Sequence, residues 1–197
     1  HKNAERQEKY LKYLNNIRFE IEKNKKLQKE ILLENHPDIF KYISLQDFWD
    51  RRLWNRTNKE EDFLSFRLGL GNTELQADLD FPENRFSIEE DNLRKALLDF
   101  SEEKQIIEDV PLCINVPKDR IIGVHGTHRD VVNLLNNILL QLACLYSYDE
   151  VKLVFISDEK DMQAFGYVRW LQHIWDNEEN SRLFASNEKD IKELNAI

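Results

Sequence analysis

Gly123, Gly126, Thr127, His128, Arg129 and Asp130 are the residues of this chain best placed to meet a phosphate. An apolar run, Ile121–Val124, precedes them, and a long stretch with one apolar face follows, from about Asp130 to Tyr146. That order predicts a buried strand, a glycine-bearing turn and a helix, the place where an ATPase keeps its phosphate loop. A working loop reads G-x-x-x-x-G-K-[ST]: glycines let backbone N–H groups wrap the phosphate, lysine meets its charge and a hydroxyl holds Mg²⁺. Gly123 keeps the first glycine. His128 stands at the second, Arg129 replaces the lysine and Asp130 the hydroxyl. Asp130 is expected to cap the helix, and its charge opposes a phosphate there. Arg129 could stand in for lysine, because guanidinium is always charged and forks onto phosphate. His128, however, adds a Cβ and a ring where backbone must approach closely. The stretch therefore has the outline of a nucleotide site with most of its chemistry missing, and no catalytic residue is assigned.

Other candidates are weaker. Leu153–Glu159 has the form of a Mg²⁺-binding strand, but Asp158 is read as the cap of the next helix. His125, His128 and Asp130 are too few for zinc, which takes three or four ligands, so no metal is expected. His173 lies near Trp170 with no acidic or nucleophilic partner in register, so the two are read with Val168 and Leu171 as a packed helix end. Cys113 and Cys144 sit in apolar runs without metal spacing and are expected to be buried, reduced thiols. Trp49, Arg51, Arg52 and Trp54 could stack on bases, but they could also form cation–π and ion pairs within the protein. The net charge of −9 favours the second use and argues against nucleic acid.

The elements that position these residues follow from periodicity. Residues 1 to about 35 contain no Gly or Pro, and Tyr10, Leu14, Ile17, Ile21 and Ile31 fall on one seam interrupted by Asn24 and Gln28. A long helix is predicted, stopped by Pro37, either packed on its own domain or standing out as a stalk. Strands are predicted over 62–71 and 73–81, then a helix from Ser87, boxed by Glu90, to about Lys104. Strands at Leu112–Val116, Ile121–Val124, 151–156 and 183–185 alternate with helices at 130–146, 160–175 and from Glu188 onward. That alternation argues for βαβ units in a mostly parallel sheet. At 197 residues, 41% of them hydrophobic and 33% charged, the chain is long enough for one core and an appendage. No signal peptide or membrane span is visible. The first residue is not Met, and the last helix has barely begun at residue 197, so a piece of a longer protein is expected, its sheet incomplete.

Together these segments resemble the EssC/EccC family, the membrane-anchored, FtsK/SpoIIIE-like ATPases of type VII secretion. SLQDFWDRRLWNRTNKEEDFLSFRLGLG is similar to the family's W-x-R-R…DFL-x-x-R-x-G-x-G signature at Trp49, Arg51, Arg52, Asp62, Phe63, Leu64, Arg67, Gly69 and Gly71. The stretch from Ile121 to Ile156 resembles its G-[IV]-x-G turn, a helix ending in QLA, and a strand. FGYVRWLQHIWDNEENSRLFASN is similar to a third stretch at Trp170, Leu171, His173, Arg182, Ala185 and Asn187, departing at Val168 and Gln172. The Lys/Asn/Ile-rich composition points to the EssC branch.

The resemblance implies a helical stalk over 1–36 and a degenerate ATPase-like domain over 37–197. It implies a RecA-like or P-loop-like α/β fold with a mostly parallel sheet flanked by helices. The parent would be anchored at the cytoplasmic face of a bacterial membrane, with ATP and Mg²⁺ used in three downstream FtsK-like domains and no cofactor expected here. Implied partners are those downstream domains, other secretion membrane components, further copies in an oligomer and small helical WXG100-type substrates. Arg51, Arg52 and Arg67 are guessed to brace the stalk–domain junction.

Overall fold

The computed structural model describes residues 2–38, 40–41, 53–76 and 104–195. Its first element is the helix α1, Lys2–Asn35. The predicted stop holds: His36 N–H still reaches Leu32 C=O, and Pro37 then ends the helix. Strands β1 (Ser65–Glu74) and β2 (Ile106–Asn115) form a two-stranded sheet. Leu75 N–H bonds Gln105 C=O, and Val116 N–H bonds Leu64 C=O, which is the end-to-end reversal of an antiparallel pair. Thr73 and Glu74 thus continue β1 rather than starting a second strand. The remainder of that predicted strand and the helix from Ser87 fall outside the described residues, apart from Lys104, which is not helical.

The backbone divides into two compact units, His1–His36 with Leu70–Leu112, and Pro37–Gly69 with Cys113–Ile197. In the first unit, Leu14 and Ile21 are buried and Ile17 half-buried, along with Ile107 and Val110 of β2. Ile31 of the predicted seam is exposed. Gln28, a polar interruption of that seam, accepts the Gln76 N–H, and Lys29 lies 3.9 Å from Asp109. Gly71 is required by a close approach: a Cβ there would meet the Leu112 side chain at 2.5 Å.

The second unit is built around a long helix. A one-turn helix α2, Val116–Asp119, is capped by Asn115 and carries Pro in its first turn, and Arg120 then leaves it with φ 58°. Helix α3, His128–Leu145, follows an irregular stretch. Its apolar face serves two clusters. Leu142 and Leu145 join Phe66, Tyr146 and Val151, and Leu139 joins Phe165, Val168, Ile174 and Phe184. β3 (Phe155–Ile156) pairs in parallel with β4 (Phe184–Ala185), and α5 (Glu188–Leu194) follows, capped by Asn187. Between them stand a 3₁₀ turn at Glu159–Asp161, the short helix α4 (Met162–Phe165) and 3₁₀ turns at Gly166–Trp170 and Gln172–Ile174.

Several expectations need correction. The described strands form two small two-stranded sheets, one of them parallel, in a mixed α/β fold, and not one wide parallel sheet. Ile121–Val124 is not a strand among the described residues: Arg120 turns the chain away from β2, and the stretch gains no ladder partner. The strand at 151–156 shortens to two residues because Leu153 N–H is taken by the His173 carbonyl. The helix over 160–175 breaks into short turns. Gly166 follows α4, and Leu171 is extended at ψ 139° between the last two turns. Cys113 is exposed and Cys144 only half-buried, so neither is the buried thiol expected.

Candidate functional site at the two ends of helix α3

The amino end of α3 carries the phosphate-loop positions. All residues from 121 to 130 are exposed. Thr127, not Asp130, is the cap: its Oγ1 accepts the Asp130 N–H at 3.3 Å, and its hydroxyl donates to Asp130 Oδ2 at 2.6 Å. Thr127 thus caps the helix through its hydroxyl, whose hydrogen the Asp130 carboxylate accepts in turn. That places a carboxylate where an anion would need free N–H donors. Neither Gly123 nor Gly126 has a positive φ, and a Cβ at Gly123 would touch nothing within 4 Å. The glycines therefore do not form the tight backbone concavity that cradles phosphate. His128 Nε2 lies 3.6 Å from Asp161 Oδ1 on the surface. Arg129 is exposed. Asp158 caps the next turn through Lys160 N–H and pairs with Lys160 Nζ at 2.9 Å. These bonds to Lys160 hold the Asp158 carboxyl below its usual range. Among the described residues, no group of three His, Cys, Asp or Glu side chains could hold a metal ion.

The carboxyl end is assembled differently. α3 ends with neither a glycine nor a basic residue in its last turn, so its final carbonyls need donors from elsewhere. Trp54 donates its indole N–H to Ala143 C=O at 3.0 Å and its backbone N–H to Cys144 C=O at 2.9 Å. Arg56 N–H reaches Leu145 C=O at 3.2 Å, and His173 Nε2 reaches Tyr146 C=O at 2.8 Å. Because a carbonyl only accepts, Nε2 carries the proton. Burial pushes the His173 imidazole below its usual pKa; the Tyr146 carbonyl opposes that shift and Lys152 adds to it. Trp54 holds this position with φ 52°, an uncommon backbone for a bulky residue.

Tyr146, fully buried, is the hub. Phe63 and Phe66 meet its ring edge-on at 5.5 and 5.6 Å, and its hydroxyl accepts the Ser65 N–H at 3.1 Å. Arg56, also buried, lies 3.3 Å from Asp62 and 3.4 Å from the Ser65 carbonyl. One turn back, the Gln141 amide accepts Arg67 N–H at 2.9 Å and donates to Arg67 C=O at 2.8 Å, so a side chain takes the place of a neighbouring strand. The Arg67 guanidinium lies 3.6 Å from Asp38.

His173 is thus buried in this assembly, whereas Trp170 is exposed rather than packed with it, and Arg182 stacks on Trp170 at 4.9 Å and on Trp175 at 4.6 Å. Trp49, Arg51 and Arg52 lie outside the described residues. The structure brings the phosphate-loop positions together on one surface turn and gathers Asp62, Phe63, Arg67 and His173 toward the opposite end of the same helix. Sequence reasoning missed Trp54, Arg56, Gln141 and Tyr146 as members of this second group. The available signal was a long helix ending in Cys-Leu-Tyr with no cap of its own.

The class this geometry describes is a mixed α/β module in which an exposed turn, capped by Thr127, opens a long helix. No family model matches the chain. It is 29% identical to the type VII secretion system protein EssC of Staphylococcus aureus (strain NCTC 8325) over 189 residues, 95% of this chain and 13% of that protein. It is also 28% identical to the ESX secretion system protein EccC of Thermomonospora curvata over 166 residues, 83% of this chain and 12% of that protein. The chain is thus similar to these EssC and EccC proteins, and it spans about an eighth of the length of the curated relatives it matches. Among the described residues, no helix is long and apolar enough to cross a membrane.

Proposed function

We propose that this chain is a non-catalytic, ATPase-like module of a type VII secretion protein, joining a helical stalk to motor domains elsewhere in the same polypeptide. The observation that carries this reading is the mutual hydrogen bonding of Thr127 and Asp130. It fills the amino end of α3 with a carboxylate, while the lysine and second glycine of a phosphate loop are replaced by Arg129 and His128. The likeness to EssC and EccC over nearly the whole chain supports the secretion role. The strand–helix order and the parallel β3–β4 pair support a RecA-like ancestry for the second unit. In this reading α1 is the stalk, and the module works at the cytoplasmic face of the membrane. It contacts the motor domains and other secretion components, needs no cofactor of its own and does not bind nucleic acid. Substrates of the WXG100 type pass through the parent assembly.

Calorimetry with MgATP, using Arg129→Ala as the control, tests the proposal. No heat at millimolar nucleotide is the expected result. Micromolar binding that disappears in Arg129→Ala would replace the proposal with the alternative, an atypical nucleotide-binding domain in which arginine serves as the loop lysine.

A further inference from the structure

Arg67 is held twice, by its main chain and by its charge. Gln141, buried one turn before the end of α3, spends its side-chain amide on both main-chain groups of Arg67. Its Oε1 accepts the Arg67 N–H at 2.9 Å, and its Nε2 donates to the Arg67 C=O at 2.8 Å. The same Nε2 donates to Asn137 Oδ1 at 2.6 Å, which sets the orientation of the amide. The Arg67 guanidinium lies 3.6 Å from Asp38 Oδ2, while Asp38 Oδ1 accepts the Phe40 N–H at 3.0 Å. Asp38 follows Pro37 directly, three positions beyond Asn35, the last residue of α1. Asp38, Arg67 and Gln141 all belong to the second unit.

We propose that Gln141 is a positioning residue for the connection out of α1: it reads the register of α3 against β1 and, through Arg67, latches Asp38. This rests on the reading of the chain as a module that couples a stalk to motor domains. The main-chain pair of Arg67 asks for an acceptor and a donor side by side, which an amide supplies and a carboxylate or an apolar side chain does not. Both bonds are short, so a slide of α3 by one residue, about 1.5 Å, loses the two together. The latch is therefore closed or open, with little between. A backbone fixed at both groups gives the Arg67 side chain a fixed origin, and a planar guanidinium fork needs one to meet a carboxylate. Movement of α3 along β1 thus becomes release of Asp38, and a pull arriving at Asp38 is borne by a helix instead of a loop.

Gln141 and Asp38 act on different parts of Arg67, so a double-mutant cycle by urea unfolding of the 197-residue chain tests the latch. Asp38→Asn keeps an acceptor for the Phe40 N–H and removes the charge. It should lower the folding equilibrium constant about threefold in the native background, as a partly exposed ion pair does. Once Gln141→Glu or Gln141→Leu has released Arg67, the same change should cost almost nothing. Equal losses in all three backgrounds make Gln141 a packing residue and overturn the proposal. Gln141→Glu adds a readout that packing does not move. The carboxylate it introduces faces the acceptors Arg67 C=O and Asn137 Oδ1, which raises its pKa above the usual value of about 4.3. Protonated, it again offers a donor beside an acceptor. Its deficit against the native chain, about tenfold at neutral pH and above, should shrink as pH falls to about 5. His173 titrates in both proteins and cancels in the difference. A deficit indifferent to pH overturns the proposal. If the variant is unfolded at neutral pH, recovery in acid supports the proposal, continued unfolding opposes it, and Gln141→Leu carries the cycle. Nucleotide binding in the calorimetry would overturn the non-catalytic reading while leaving these folding equilibria as they stand.

Discussion

Helix α3 has two ends that were built to different standards. Among the described residues the cap at its amino end is local: Thr127 and Asp130, three residues apart, bond each other in full contact with water. At its carboxyl end, Trp54, Arg56 and His173 converge on four successive carbonyls from far along the chain. Arg56 and His173 are buried while Trp54 is half-exposed, and buried donors are expensive to lose whereas a solvated turn can change at little cost. The end where nucleotide chemistry would occur is the cheap one. The constrained end is occupied by residues shared with the EssC/EccC-like signature, Asp62, Phe63 and His173 among them. In this chain Asp62, Phe63 and His173 of that signature make ion-pair, packing and capping contacts near the carboxyl end of α3.

The comparison breaks most readily at Tyr146. Tyr146→Ala removes a ring with no solvent exposure, its edge contacts with Phe63 and Phe66, and the partner of the Ser65 N–H. A loss of about 3–5 kcal/mol is expected for the cavity alone, a large share of the roughly 5–15 kcal/mol that keeps an ordinary domain folded. Urea unfolding followed by tryptophan fluorescence measures it. A loss near zero would mean that the carboxyl end is no better specified than the amino end.

His173 sharpens the same contrast through pH. Its folded pKa lies below the ordinary 6.5, so below that pH the unfolded chain binds a proton that folded His173 refuses. Stability is then complete above about pH 6.5 and declines as pH falls toward the depressed folded value, where the slope ends. His173→Phe should cost about 1–3 kcal/mol at neutral pH, by orphaning the Tyr146 carbonyl. It should also remove that part of the acid slope. Thermal melts of the two proteins across pH 4–8 give both readings, and parallel slopes would exclude His173 as the titrating group.

How much of this could be read in advance depended on the range of the interactions. α1, α3 and α5 announced themselves through periodicity, and Pro37 marked the end of α1, because helices close their hydrogen bonds locally. Ile121–Val124 reads as a strand by composition, but a strand exists only with a neighbour, and no spacing in the sequence says whether one is present. The segment 160–175 has apolar residues enough for a helix. Its 3₁₀ turns follow from Phe165, Val168 and Ile174 all meeting one cluster, a tertiary demand. At the start of α3, Asp130 reads as the cap by sequence, whereas Thr127 holds that place, because a threonine hydroxyl one turn earlier reaches the Asp130 N–H. The carboxyl-end joint was invisible as geometry, since Trp54 and Ala143 are 89 positions apart.

The smallest expected effects lie at the amino end, and their ordering is informative. Thr127→Ala removes the cap of α3 and should cost about 1 kcal/mol, within the usual range for lost N-caps. Gly123→Ala should change stability by less than about 0.5 kcal/mol, because the new methyl meets nothing within 4 Å and the backbone needs no positive φ. A phosphate loop in use would reverse this order in any nucleotide-dependent readout. There the glycine is indispensable, since backbone must approach the phosphate closely, and the threonine cap is secondary. Melting both variants with and without MgATP therefore separates a turn kept for folding from one kept for binding. A nucleotide-dependent stabilisation that Gly123→Ala abolishes would return the amino end of α3 to the chemistry its outline suggests.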